Sequence, residues 1–192
     1  YRVVGGFTRQ MADKAPGACL DLLGPIGRGF TIDCHPHPAA IVAGGIGVAP
    51  LVFLAEKLKQ AGMDMNRVMV FLGGRTKGDI LCDDVFADLG TGISVVTEDG
   101  TAGVTGMVTD PLKTWLEENN PGIIYACGPH GMLTAVGRIA VSYGIACELS
   151  IETLMACGLG VCMGCAVETT DIEEGYRHVC KDGPVFNAKV LV

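Results

Sequence analysis

The sequence lacks any run of lysine and arginine: 14 basic residues stand against 21 acidic ones, for a net charge of −7. A nucleic-acid surface needs clustered positive charge, so that class of partner is not expected. A bilayer-spanning segment is missing too. The apolar run from Ala39 to Ala55 contains three glycines and Pro50, and it falls short of the roughly 20 residues a spanning helix needs. No secretory signal opens the sequence as given. The nine cysteines, an odd number, therefore read as reduced thiols of a cytoplasmic protein and not as a disulfide framework. No Ser/His/Asp arrangement or pair of carboxylates can be picked out. The four histidines, His35, His37, His130 and His178, share no metal-ligand spacing and read as surface or packing residues. What remains is a chain of 192 residues, 49% hydrophobic and 18% charged, able to bury one core and a small appendage. Glycine is abundant, at 28 residues, which suggests tight turns and close approach of backbone to ligands.

The thiols that are present fall into a pattern. Cys157, Cys162 and Cys165 are spaced C-x4-C-x2-C, and Cys180 follows after fourteen residues. This is the plant-type spacing for a 2Fe–2S cluster. Gly158, Gly160 and Gly164 give the loop the small size and freedom in φ that wrapping a cluster requires. Ordinary buried thiols would explain one or two of these cysteines, but not four, three of them within one glycine-rich loop. Zinc ligands usually come as two C-x2-4-C pairs, and here the second pair is replaced by the lone Cys180. The other five cysteines (Cys19, Cys34, Cys82, Cys127 and Cys147) are scattered among apolar neighbours.

From residue 39 the chain alternates strand, glycine turn and helix. Strands are expected at Ala39–Ala43, Arg67–Leu72, Ile93–Thr97, Ile123–Cys127 and Ala146–Leu149. Helices are expected at Pro50–Ala61, Asp79–Leu89, Asp110–Glu118 (capped by Thr109 or Asp110) and His130–Tyr143. That order predicts an α/β fold, a five-stranded parallel sheet doubly wound by helices on both faces. Residues 1–30 read as the end of another unit: Tyr1–Val4 and Ala18–Leu23 look strand-like, and Thr8–Ala15 could form a short helix between them. Such pieces cannot form a core alone, so the natural start is expected upstream of Tyr1. Residues 151–192 read as a small module with short strands at Ala166–Thr169, Arg177–Cys180 and Ala188–Val192 around the thiols.

Two turns sit where a parallel sheet binds ligands, beyond the carboxyl ends of its strands. Gly44-Gly45-Ile46-Gly47-Val48-Ala49-Pro50 joins the first strand to the first helix. There, glycine admits a diphosphate and the helix start offers free N–H groups, although the same residues would also serve a plain tight turn. Tyr125-Ala126-Cys127-Gly128-Pro129 ends the fourth strand, and position alone leaves Cys127 either in the crevice or in the core. Arg75 and Lys77, after the second strand, could meet a 2′-phosphate, a ribose or solvent, so NADP preference does not follow.

These residues together resemble the electron-transfer subunit of the NAD-dependent (class B) dihydroorotate dehydrogenases, a family of ferredoxin–NADP reductase-like flavoproteins. The resemblance runs through Tyr1-Arg2-Val3, Thr8, Gly24-Pro25-Ile26-Gly27, the glycine turn, Cys127-Gly128-Pro129, the thiol loop and Cys180-Lys181-Asp182-Gly183-Pro184-Val185-Phe186. It implies three units: residues 1–30 as the end of an FAD-binding β-barrel whose larger part lies outside this sequence, 31–150 as an NAD-binding domain, and 151–192 as the 2Fe–2S module. It implies that Tyr1, Arg2 and Thr8 lie near the flavin diphosphate and ribityl chain. Gly44, Gly45, Gly47, Gly128 and Pro129 would take NAD, and Cys127 would position the nicotinamide against the flavin. Cys157, Cys162, Cys165 and Cys180 would hold the cluster. The implied partner is an FMN-containing catalytic subunit in a two-plus-two heterotetramer, relaying electrons from dihydroorotate through the cluster and FAD to NAD⁺ in pyrimidine biosynthesis. Two alternatives stand beside it: a related subunit serving NAD(P)H and ferredoxin or a sulfur-reducing partner, and a non-catalytic iron–sulfur redox module.

Overall fold

The computed structural model describes residues 1–33, 36–170 and 175–192; Cys34 and His35 lie outside the described residues. All five expected parallel strands form: β1 (Ala39–Gly44), β2 (Val68–Gly74), β3 (Gly92–Thr97), β5 (Ile123–Cys127) and β6 (Ala146–Ser150). Two short strands extend the sheet. The pair Val104–Thr105 (β4) runs parallel to β3, and Val185–Asn187 (β9) runs antiparallel to β6. The strand order is β4-β3-β2-β1-β5-β6-β9. The chain thus builds outward from β1 on one side, then crosses back to place β5 on the other. Ligands of open α/β sheets bind at this reversal.

Strand β1 is buried along its whole length because helices cover both faces of the sheet, which is why its sequence is continuously apolar. Ile41, Val70 and Tyr125 face α2 (Val48–Gln60) and α3 (Asp83–Leu89), where Leu51, Leu54 and Phe86 fill that layer. Val42, Phe71 and Ala126 face α4 (Thr109–Glu118) and α5 (His130–Tyr143), where Leu112, Leu133 and Val136 fill the other. Tyr125, fully buried, donates its hydroxyl to the Thr31 carbonyl at 2.9 Å and meets the Phe30 ring edge-on. This fixes the segment before β1 against the sheet.

Several local expectations differ. Neither Tyr1–Val4 nor Ala18–Leu23 forms a strand, since neither finds a strand to pair with among the described residues; α1 (Gly6–Ala12) is the one regular element there. Helix α4 starts after Val108 with no side-chain cap, and Asp110 instead accepts the Met107 N–H at 3.1 Å. Helix α3 starts four residues later than expected, after Cys82 in the left-handed region at φ 60°. In the C-terminal module, β7 (Ala166–Glu168) pairs with β8 (Tyr176–His178), but Val179–Asp182 (α6) and Ala188–Leu191 (α7) are helical turns, not strands. The unpredicted β9 joins this module to the main sheet, and Phe186 within it packs with Cys165, Val179 and Cys180 in a third small core.

Candidate functional site

One continuous cleft of about 1580 Å³ lies along the carboxyl ends of the strands. That is larger than the roughly 300–1,000 Å³ of an ordinary small-ligand pocket and suits an extended ligand or two adjoining ones. It is lined by the glycine turn, by Cys127-Gly128-Pro129, by Gly74 and Arg75, and by Met155 and Cys180 of the C-terminal module. Tyr1, Arg2 and Thr8 line it as well. The Thr8 hydroxyl is occupied within its own turn, accepting the Val4 and Gly5 N–H groups at 2.9 and 3.0 Å.

The glycines divide into two kinds. A Cβ on Gly44 would lie 2.6 Å from Pro129 Cδ, and one on Gly47 would lie 2.5 Å from the Cys127 carbonyl oxygen. These two let the turns after β1 and β5 pack together. Gly45 has φ +52° and open space where a Cβ would stand, so it is the glycine that turns its backbone to the cleft. Helix α2 begins directly beyond with no side-chain cap; its first N–H, that of Val48, donates to the Gly45 and Ile46 carbonyls and Pro50 has none, so the turn's own backbone is what the cleft meets here.

Cys127 is half-buried, and burial pushes its thiol pKa up; a hydrogen bond from Ser150 opposes that shift, and the negative charge of Glu152 adds to it. Neither Ser150 nor Glu152 stood out in the sequence. The pairing of β5 with β6 sets Ser150 opposite Cys127, and Glu152 follows two residues on. Arg75, expected to meet a 2′-phosphate, a ribose or solvent, is paired with Asp79 at 3.5 Å, and Glu98 lines the same end of the cleft.

Of the four thiols of the spaced motif Cys180 lines the cleft, and all eight described cysteines are free. Cys157 and Cys162 are within hydrogen-bonding reach of each other, and so are Cys165 and Cys180. Among the described residues no three His, Cys, Asp or Glu side chains converge as a single-ion site would require; the thiols meet as two pairs. Two thiolates per iron is what a 2Fe–2S cluster asks for. Backbone N–H groups are aimed at the sulfurs, Leu159 at Cys157 (3.4 Å), Gly160 at Cys180 (3.1 Å) and Gly164 at Cys162 (3.4 Å). Gly158 and Gly160 reach these positions at φ +69° and +74°. The N–H groups of Leu159, Val161 and Cys162 lower the Cys157 pKa to about 6, the direction a thiolate ligand needs. The donor set and its hydrogen bonds fit the cluster.

Comparison with known proteins agrees with this geometry. Residues 152–192 match the iron–sulfur cluster binding domain of dihydroorotate dehydrogenase B, and residues 41–138 match the oxidoreductase NAD-binding domain. The chain is 35% identical to the dihydroorotate dehydrogenase B (NAD⁺) electron transfer subunit of Desulforamulus reducens, over 97% of this chain and 70% of that one. It is 40% identical to that of Listeria monocytogenes, over 98% and 72%. Among solved structures, that of an NADH-dependent reduced ferredoxin–NADP oxidoreductase superposes with a TM-score of 0.85 at 30% identity, over 100% of this chain and 67% of that one. The cytochrome b5 reductase domain of Ulva prolifera nitrate reductase shares the fold, with a TM-score of 0.59 at 22% identity over 73% and 61%. The chain belongs to the family of electron transfer subunits of NAD⁺-dependent dihydroorotate dehydrogenase B.

Proposed function

We propose that this chain carries electrons from an FMN-containing, dihydroorotate-oxidising catalytic subunit to NAD⁺, in pyrimidine biosynthesis. The observation that carries this reading is the continuity of the cleft, which borders both the glycine turn and Cys180. Nucleotide and thiol cluster therefore share one space. When bound, a 2Fe–2S cluster supplies one-electron transfer and a flavin supplies the exchange between one- and two-electron chemistry.

The chain's own residues bind and position. Cys157, Cys162, Cys165 and Cys180 would hold the cluster, and the N–H groups of Leu159, Gly160 and Gly164 would neutralise charge on the sulfurs. The turn at Gly44–Gly47, with Gly128 and Pro129 behind it, takes the NAD diphosphate. Cys127 borders the nicotinamide. Tyr1 and Arg2 belong to the flavin side of the cleft, with Thr8 shaping the turn beside them. Units 1–30, 31–150 and 151–192 serve flavin, NAD and cluster in turn. Leu154, Leu159, Val161 and Met163, exposed around the thiols, form the apolar face for the catalytic subunit. The working assembly is a cytoplasmic heterotetramer, two copies of each subunit. No helix among the described residues is long and apolar enough to cross a membrane.

The test is NAD⁺ reduction driven by dihydroorotate, using the full-length subunit with its catalytic partner. Activity that requires both subunits supports the reading. Its absence, with cluster and flavin spectra intact, moves the assignment to the second reading, an NAD(P)H–ferredoxin oxidoreductase subunit, which the 0.85 superposition favours.

A further inference from the structure

Two polar residues are buried among the described residues, Thr97 and Ser150. A buried hydroxyl is costly unless it is hydrogen-bonded, so each calls for an explanation. Thr97 has a structural one: its hydroxyl donates to the Ala102 carbonyl at 2.7 Å and accepts the Ala102 N–H at 3.1 Å, closing the turn after β3. Ser150 holds no turn. It ends β6, is 8% exposed, and lines the cleft.

Strand register fixes where Ser150 stands. It pairs with Cys127 of β5 on one side and with Val185 of β9 on the other. Cys127, Ser150 and Val185 thus form one row across three strands, where the nucleotide sheet meets the cluster module. Paired residues on neighbouring strands present their side chains to the same face, so the Ser150 hydroxyl and the Cys127 thiol are brought side by side at the edge of the cleft. Clamped by strands on both sides, Ser150 has little backbone freedom.

We propose that Ser150 is a positioning residue: its hydroxyl holds the Cys127 thiol in one orientation toward the nicotinamide during hydride exchange. This rests on the cleft being the NAD site, as proposed above. Glu152, on the segment after β6, acts on the same thiol with its negative charge. The Ser150 hydroxyl opposes that charge, so without Ser150 the thiol would lose both its orientation and its counterbalance.

The experiment uses the full-length subunit assembled with its catalytic partner, with cluster and flavin absorbance checked for every variant. Ser150→Ala should slow NADH-driven flavin reduction in single turnover about tenfold, with NADH affinity changed less than about twofold. Ser150→Thr and Ser150→Val, matched in shape but not in the hydroxyl, give a second comparison, and only Thr should restore the rate. In the double variant with Cys127→Ala, Ser150→Ala should add nothing, as expected of two residues acting as a unit. Independently of activity, the pH at which Cys127 is alkylated, followed by peptide mass spectrometry, should rise in Ser150→Ala and return in Ser150→Thr. A wild-type rate in Ser150→Ala, an additive double variant or an unmoved alkylation profile would each overturn the inference. If wild-type protein exchanges no electrons with NADH, the proposed function fails instead, and the alkylation profile still decides the Ser150–Cys127 pair.

Discussion

A Cβ built on Gly47 would stand 2.5 Å from the carbonyl oxygen of Cys127, so the turns after β1 and β5 touch backbone to backbone at the reversal of the sheet. The glycine turn therefore does two things, and different residues do them. Gly47→Ala and Gly44→Ala must push the β5 turn away, at about 1–3 kcal/mol of folding stability, and both should weaken NAD⁺ binding. Gly45→Ala meets no neighbour but must hold φ +52°, which costs about 1 kcal/mol. Chemical denaturation and NAD⁺ titration of the three variants should separate packing from ligand approach, with Gly45→Ala the least destabilised.

Removing iron should leave the four thiols unequal. Cys165 and Cys180 are 2% and 3% exposed, whereas Cys162 is exposed and Cys157 half-buried. With its pKa near 6, Cys157 is mostly thiolate at pH 7, and the thiolate is the nucleophile. In iron-free protein, iodoacetamide should modify Cys157 and Cys162 first, and Cys165 and Cys180 at least about tenfold more slowly. Peptide mapping over time reads the order directly.

Alkaline stability should report on Cys147. Burial, aided by the charge of Glu148, pushes its thiol from 9.0 to about 12. The folded state holds this proton more tightly than the unfolded chain does. The contribution is thus complete below about pH 9 and declines as pH rises from about 9 to 12. At pH 10 the loss is about 1.4 kcal/mol, one pKa unit. Urea midpoints at pH 8 and pH 10 should differ less in Cys147→Ala than in the wild type.

Cofactor choice should follow the acidic end of the cleft. Asp79 and Glu98 lie there, and the Arg75 guanidinium is paired with Asp79 at 3.5 Å. A 2′-phosphate would face two carboxylates, each costing about 1 kcal/mol at these exposed separations. Asp79→Asn combined with Glu98→Gln should raise kcat/KM for NADP⁺ about tenfold while changing that for NAD⁺ far less. Steady-state kinetics with both nucleotides checks it.

Parts of this picture were legible in the residues themselves. The five central strands were: Ala39–Gly44 is buried along its whole length and so continuously apolar, and the other four recur in the strand, turn and helix alternation that follows it. The thiol motif was legible from spacing alone. Strands β4 and β9 were not, since two and three residues carry no periodicity. Ala188–Val192 read as a strand, yet Asn187 caps a helical turn there by accepting the Lys189 N–H at 3.0 Å. Ser150 was invisible because it meets Cys127 across 23 residues of sequence, through register. The Arg75–Asp79 pair was not legible because it depends on how the chain turns after β2.

The most direct measurement is electron flow in the assembled complex carrying Cys162→Ser. Removing this thiol leaves Cys157 without its paired neighbour. Dihydroorotate should still reduce the FMN of the catalytic subunit, while NAD⁺ reduction by the complex should fall to background. If NAD⁺ reduction continued at the wild-type rate with the cluster absent, the relay through these four cysteines would be contradicted.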